Sequence, residues 1–297
     1  LVAAKLWGCS AEQTANALGL CGSMAAGSME FLTDGAWTKR IHPGWAGHSG
    51  LVAARMALRG FTGPKEVFEG RFGFYNLYIG KDGEDRDLSR LTSGLGTEWK
   101  TPELGHKPFP CCHFTHAFID AALFLREEHR IDPAGIDSVE CRIHPREMPV
   151  VCDPVETKRR PQTPYDAQFS VPYTVAAGLI RGRVDLDAFQ PETIRDAGLL
   201  DLAARTTCVG DESQNFPRFF PGTVTVRMKD GRALTRDEPR NRGCAENPVT
   251  PGEVERKFRD NASRVLSGER VDEVLATVRR LESVAGLSEL TSVCRPA

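Results

Sequence analysis

Thr223-Val-Thr-Val-Arg-Met-Lys-Asp-Gly-Arg-Ala-Leu-Thr235 holds two short extended runs on either side of Lys229-Asp230-Gly231. β-Branched side chains suit a pleated strand better than a helix, and Asp-Gly supplies the backbone geometry of a tight hairpin turn. The stretch predicts a β-hairpin. Upstream of it, residues 138–143 alternate enough to form another strand. Helices flank these strands. Residues 115–130 carry Ile119, Leu123 and Leu125 among their apolar positions. Ser170 reads as the N-cap of a helix that runs through Ile180 and stops near Gly182, with Pro172 tolerated in the first turn.

Further from the hairpin the texture becomes helical on both sides. Ser10-Ala-Glu-Gln13 has the form of a capping box, followed by Ala11, Ala15, Leu18 and Gly22 at helical spacing. Gly19, Gly22 and Gly27 would allow close helix contact. Residues 49–59 form the clearest helix, with Leu51, Ala54, Ala57 and Leu58 on one face and Gly60 placed to end it. Gly63-Pro64 predicts the start of another short helix. After Asn247-Pro248, residues 251–263 and 271–284 return to a helical pattern. The expected fold is mostly α: an all-helical domain interrupted by a smaller α+β domain. The expected boundaries are 1–106, 107–246 and 247–297. Leu1-Val-Ala-Ala-Lys-Leu6 reads like the inside of a helix, so the chain is expected to begin within a larger protein.

Charge and cysteine usage narrow the function classes. The 38 Lys and Arg residues against 40 Asp and Glu leave a formal charge of −2, without the basic excess that marks nucleic-acid or membrane binding. No apolar run approaches the ~18 residues of a membrane span. Nine cysteines, an odd number with no Cys-x-x-Cys pair, suit a reducing cytoplasm rather than a disulfide framework.

Two segments concentrate the chemistry. The first, Thr38-Lys-Arg-Ile-His-Pro-Gly-Trp-Ala-Gly-His48, packs cations, imidazoles and a Trp around a Pro-Gly turn ahead of a helix. Lys39 there reads as a carboxylate clamp or an acid/base amine, or else as half of a solvated pair with Arg40. His42, biased to extended backbone by Pro43, and His48 each have a plain structural reading as turn or cap anchors. The second segment brings His113 and His116, three residues apart, to one face of a helix start. The positive end of the helix favours anions there and lowers an imidazole's proton affinity, which suits an acid/base pair. Helix capping is the alternative. A metal is disfavoured, because no Asp or Glu ligand follows at a recognised spacing. Tyr173 could orient or protonate an oxyanion, or simply anchor its helix to the core. Gly94-Leu-Gly96 lacks the context of a nucleotide loop, and no Ser sits in a nucleophile elbow.

Several segments together resemble one family. Gly22-Ser-Met-Ala-Ala-Gly27, Met29 through Gly44, Gly60-Phe-Thr-Gly-Pro64, Lys107-Pro-Phe-Pro-Cys-Cys-His-Phe-Thr-His116, Tyr165-Asp-Ala-Gln-Phe-Ser-Val-Pro-Tyr173 and Glu246-Asn-Pro-Val-Thr250 are similar to the MmgE/PrpD family, in family order. That family includes 2-methylcitrate dehydratase, cis-aconitate decarboxylase and iminodisuccinate epimerase. The resemblance implies a helical domain interrupted by an α+β lid, a homodimer, and no metal or organic cofactor. It identifies Lys39 with the active-site lysine, which binds substrate together with Arg40. It identifies His116 with the histidine at the start of the lid and Tyr173 with the lid tyrosine. His42 and His113 are carried over as their neighbours. Members carry a helical segment upstream of the position of Leu1 that supplies acidic and histidine site residues. The expected activity is dehydration of a 2-methylcitrate-like tricarboxylate. Decarboxylation or epimerisation of a related polycarboxylate is the enzymatic alternative, and a truncated, non-catalytic member is the other.

Overall fold

The computed structural model describes residues 1–79 and 87–295. Its contacts group the chain into two compact units, Leu1–Trp99 and Lys100–Ala297. The first is helical: α1 Val2–Leu6, α2 Ala11–Met24, α3 Phe31–Asp34, α4 Ile41–Leu58 and α5 Phe74–Tyr78. The capping box forms as expected, with Ser10 Oγ accepting from the Gln13 amide and Gln13 Oε1 accepting from the Ser10 amide. A small core of Ala4, Ala17, Ala54 and Ala57 joins α1, α2 and α4.

Three local expectations need correcting here. The long helix α4 starts at Ile41 rather than at residue 49, so Pro43 and Gly44 lie inside it. Pro43 falls in the first turn, where a backbone N–H has no intrahelical acceptor to lose. The buried face of α4 is Ser49, Ala53, Ala54 and Ala57, whereas Leu51 is 50 % exposed. Gly63-Pro64 begins no helix. It passes instead across α2: a Cβ on Gly19 would lie 2.5 Å from the Pro64 carbonyl oxygen, and one on Gly63 would lie 2.4 Å from that of Asn16. The glycines of α2 thus serve a helix-to-loop crossing.

The second unit surrounds a mixed sheet of β1 Ile136–Ile143, β2 Thr206–Gly210, β3 Gly222–Met228 and β4 Ala233–Glu238. The order is β2-β1-β3-β4. The hairpin pairs β3 with β4 antiparallel, and β1 pairs antiparallel with β3 and parallel with β2. A parallel pair needs a crossover, and the helices α7 Met148–Val151, α8 Val155–Arg159, α9 Pro164–Ala167, α10 Val171–Arg181 and α11 Ala197–Ala204 supply it. The helix α6 His116–Glu128 packs with α10 over the sheet, and Phe118, Leu125, Val139, Cys141, Val175, Leu179 and Val224 fill the core between them. Ser170 caps α10 by accepting from the Tyr173 amide at 3.0 Å, and Gly182 ends that helix in the left-handed region.

Downstream of the sheet, Thr250 and Glu253 form another capping box, which starts α12 Pro251–Ala262; α13 Gly268–Arg279 and α14 Leu287–Val293 follow. The segment from 247, expected to rejoin the helical domain, groups with the second unit. The protein is mostly α with a small α+β region. All nine cysteines are free thiols. Among the described residues no helix is long and apolar enough to cross a membrane.

Candidate active site

In the first unit the buried Phe31 ring organises two of the predicted residues. Lys39 Nζ lies 5.7 Å from its centroid, and the His42 ring meets it edge-on at 6.0 Å. Lys39 and Arg40 end the short 3-10 turn Trp37–Arg40 that leads directly into α4. Arg40 turns away, stacking its guanidinium 4.7 Å from the Trp37 centroid, and His48 stacks on Trp45 at 5.6 Å. The structure therefore brings Lys39 and His42 to a shared aromatic platform and sends Arg40 and His48 elsewhere along the surface.

The second cluster is tighter and drier. His113 opens the 3-10 turn His113–Thr115, and His116 is the first residue of α6. Their ring centroids lie 4.8 Å apart. His116 is completely buried, with Phe109 edge-on at 5.3 Å, and among the described residues neither of its ring nitrogens meets a hydrogen-bond partner. Burial, followed by the charge of Lys107, brings the His113 pKa from 6.5 down to about 4. Burial again dominates for His116, with His113, Lys107 and Lys257 adding to it, and brings that ring to about 2. Both imidazoles are neutral at pH 7. Burial also pushes the neighbouring Cys111 thiol up to about 12, which leaves no thiolate to act as a nucleophile.

The tautomer of His113 follows from its surroundings. Asn241 is buried and its Oδ1 accepts from the Phe220 amide at 3.0 Å, so its Nδ2 faces His113 Nε2 at 2.9 Å. That nitrogen accepts, and the proton of the neutral ring sits on Nδ1. Tyr173, expected to orient or protonate, is not brought to this pair of imidazoles. It is fully buried, and its hydroxyl donates to the Ala188 carbonyl at 2.5 Å. Here it pins the Leu186–Phe189 turn to α10.

Four residues that the sequence reading passed over join this cluster: Lys107, Asn241, Arg242 and Lys257. Lys107 Nζ donates to the Cys111 carbonyl at 3.1 Å, and Lys257 Nζ donates to the Lys107 carbonyl. Arg242 lies over the Phe109 ring and is neutralised by Asp120 and Glu253. A groove of about 760 Å³ runs past Lys107, Phe109, Arg183, Arg242 and Lys257. Lys107 stands at the head of the segment that carries the imidazoles and was legible there. Asn241 and Lys257 reach the cluster only through the tertiary fold. Among the described residues no three His, Cys, Asp or Glu side chains converge to hold a metal ion.

Comparison with known proteins gives two family matches. The MmgE/PrpD N-terminal domain matches residues 1–86, and the MmgE/PrpD C-terminal domain matches residues 109–283. Among curated proteins, the cis-aconitate decarboxylase-like protein oryM of Aspergillus oryzae is 28% identical, covering 97% of this chain and 61% of that protein. The cis-aconitate decarboxylase of Homo sapiens is 26% identical, covering 99% of this chain and 60% of that protein. That of Aspergillus terreus is 25% identical over 98% of this chain and 61% of its own length. The chain thus spans about 60% of the length of these relatives.

Proposed function

This chain belongs to the MmgE/PrpD family, and from that premise we propose that it serves acid/base lyase chemistry at a carbon next to a carboxylate of a small polycarboxylic acid. Decarboxylation of a cis-aconitate-like acid is the first reading, because the curated relatives carry that activity in their names. Dehydration of a 2-methylcitrate-like acid, expected from the resemblance, is the second. The observation that carries the proposal is a pair of neutral imidazoles beside Lys107, whose ammonium has no carboxylate partner among the described residues.

In decarboxylation the carbon–carboxylate bond breaks, CO₂ leaves, and the electron pair stays on the adjacent carbon. Delocalising that pair onto a neighbouring carboxylate piles negative charge on an existing anion, so fixed cations and N–H donors must already be in place. Lys107 would take this role beside the imidazoles, and Lys39, identified by the family resemblance with an active-site lysine, is a second candidate for it. His113 is the half-exposed imidazole, and its Nδ1–H is the donor at hand. His116 lies behind it. A bound polycarboxylate cancels the charge of Lys107 and removes one of the causes holding both rings below 6.5. The proton that the carbon takes up in place of CO₂ would come from solvent, with the Nδ1–H of His113 orienting its delivery.

The test is a panel of cis-aconitate, citrate, 2-methylcitrate and an iminodicarboxylate, followed by NMR and ultraviolet absorbance. Loss of the CO₂-bearing carbon from cis-aconitate supports the first reading, and a new double bond from 2-methylcitrate supports the second. Lys39→Ala should lower turnover by about 10²-fold or more while the circular dichroism stays that of the parent. Binding without turnover on any acid would leave a non-catalytic family member. Wild-type rates in Lys39→Ala would remove its role.

A further inference from the structure

We propose that Lys257, on α12, joins Lys107 to form a two-ammonium seat for one carboxylate of the substrate, making the C-terminal helices part of the binding site. The inference rests on the proposed polycarboxylate chemistry and names the element that discriminates among acids.

Lys257 is half-buried at the edge of the groove, and its Nζ donates to the backbone carbonyl of Lys107. The Lys107 side chain extends to the Cys111 carbonyl. Burial and the charge of Lys107 both lower the proton affinity of Lys257, so the two ammonium groups feel one another. Only carbonyl oxygens receive them, and neither has a carboxylate partner among the described residues. Most of the nearby carboxylates are already engaged: Arg242 holds Asp120 and Glu253, Arg264 holds Asp187, and Arg183 holds Asp185, while Asp260 also lines the groove and forms an ion pair with neither lysine among the described residues. Unbalanced cations beside a partly dry groove are costly unless an anion joins them. A carboxylate entering the groove would satisfy both ammonium groups at once. The volume of about 760 Å³ lies within the range of small-molecule sites.

The arrangement also positions Lys107. The segment from His106 is held at one end by its amide, which donates to the Gly243 carbonyl at 2.8 Å, and Lys257 holds the next carbonyl along. Lys257 therefore has both a charge and a positioning effect on the residue beside the imidazoles.

Calorimetric titration of the whole chain separates these effects, with tricarballylate as a saturated, unreactive tricarboxylate and butyrate as the monocarboxylate control. Lys257→Met keeps most of the apolar stem and removes the charge. It should weaken tricarballylate binding by roughly tenfold or more, and any butyrate binding along with it, since a single carboxylate also fills the seat. Lys257→Arg should restore binding to within about threefold, which rules out a merely structural loss. In the wild type, the ¹³Cε resonance of Lys257 should titrate at higher pH once tricarballylate is bound, because the anion favours the charged form. Equal affinity of wild type and Lys257→Met for tricarballylate would overturn the seat and leave the reading of Lys39 standing. A wild-type chain that binds no polycarboxylate would overturn both.

Discussion

Asn241 fixes the chemistry of His113 with a single amide. Its carbonyl end is taken by the Phe220 N–H, so its NH₂ end must face the ring, and His113 Nε2 can only accept. Protonating His113 would set two donors against each other, in addition to the burial that already holds its pKa at about 4. Asn241→Asp exchanges the facing donor for a carboxylate without changing the shape. The His113 pKa should then rise past its ordinary 6.5, since the charged ring gains an acceptor and an opposite charge at one stroke. ¹H–¹⁵N correlation of the imidazole against pH reads this directly. A pKa that stays near 4 in Asn241→Asp would mean that burial alone, and not the Asn241 contact, sets the state of the ring. The imidazole pair was legible in the sequence because Cys112-His-Phe-Thr-His116 is contiguous. Asn241 was not, since 128 residues separate it from His113 and nothing in its own neighbourhood marks it.

Helix starts and glycines carry the next scale. Two glycines only sixteen positions apart in the first unit should respond to Ala in opposite directions. Gly47 lies in α4 with open space around the position of a Cβ, and Ala there should raise stability by about 0.5–1 kcal/mol through helix propensity. At Gly63 the added carbon would sit 2.4 Å from the Asn16 carbonyl oxygen and 2.7 Å from the Leu20 amide, backbone that cannot swing aside. Gly63→Ala should cost about 2–3 kcal/mol, and urea unfolding of the two variants beside the parent compares them. Equal midpoints would mean that α2 and the 63–64 segment are not packed as described. Local signals found the elements whose ends are chemically marked: the Ser10 and Ser170 caps, the Asp230-Gly231 turn, the Gly182 stop. They missed β2, because Thr206–Gly210 follows α11 without a turn residue and is an edge strand with a single partner. They started α4 late because Pro43-Gly44 reads as a breaker, although a first-turn Pro sacrifices no hydrogen bond. They placed Leu51 inside because hydrophobicity was weighed over size, whereas the close crossing of α2 and α4 has room only for Ser and Ala.

At the scale of the whole molecule, buried titratable groups of opposite sign shape how stability changes with pH. Glu147 is fully buried, neither carboxylate oxygen has a hydrogen-bond partner among the described residues, and burial raises its pKa from 4.5 to about 8. Lys158, a buried cation of the same crossover, gives its ammonium to the Val150 carbonyl. The folded state thus holds a proton on Glu147 that the unfolded chain releases from about pH 4.5 upward. Stability from this group is complete below 4.5 and is lost as pH rises to about 8, at up to ~1.4 kcal/mol per unit. The imidazoles act in the reverse sense. The folded state keeps His113 and His116 neutral while the unfolded chain protonates near 6.5, so their contribution is present above 6.5 and falls away on acidification through about 4. Glu147→Gln removes the first limb without touching the second. Urea midpoints measured from pH 5 to 9 should decline from about pH 6.5 to 8 in the parent and stay level there in Glu147→Gln, while below pH 6 the parent should lose stability less steeply than Glu147→Gln, because Glu147 still gains there. Parallel alkaline slopes in the two chains would mean that Glu147 is ionised in the folded protein, and the crossover around it would then have to supply the hydrogen bonds or counter-charge that its present neighbours do not.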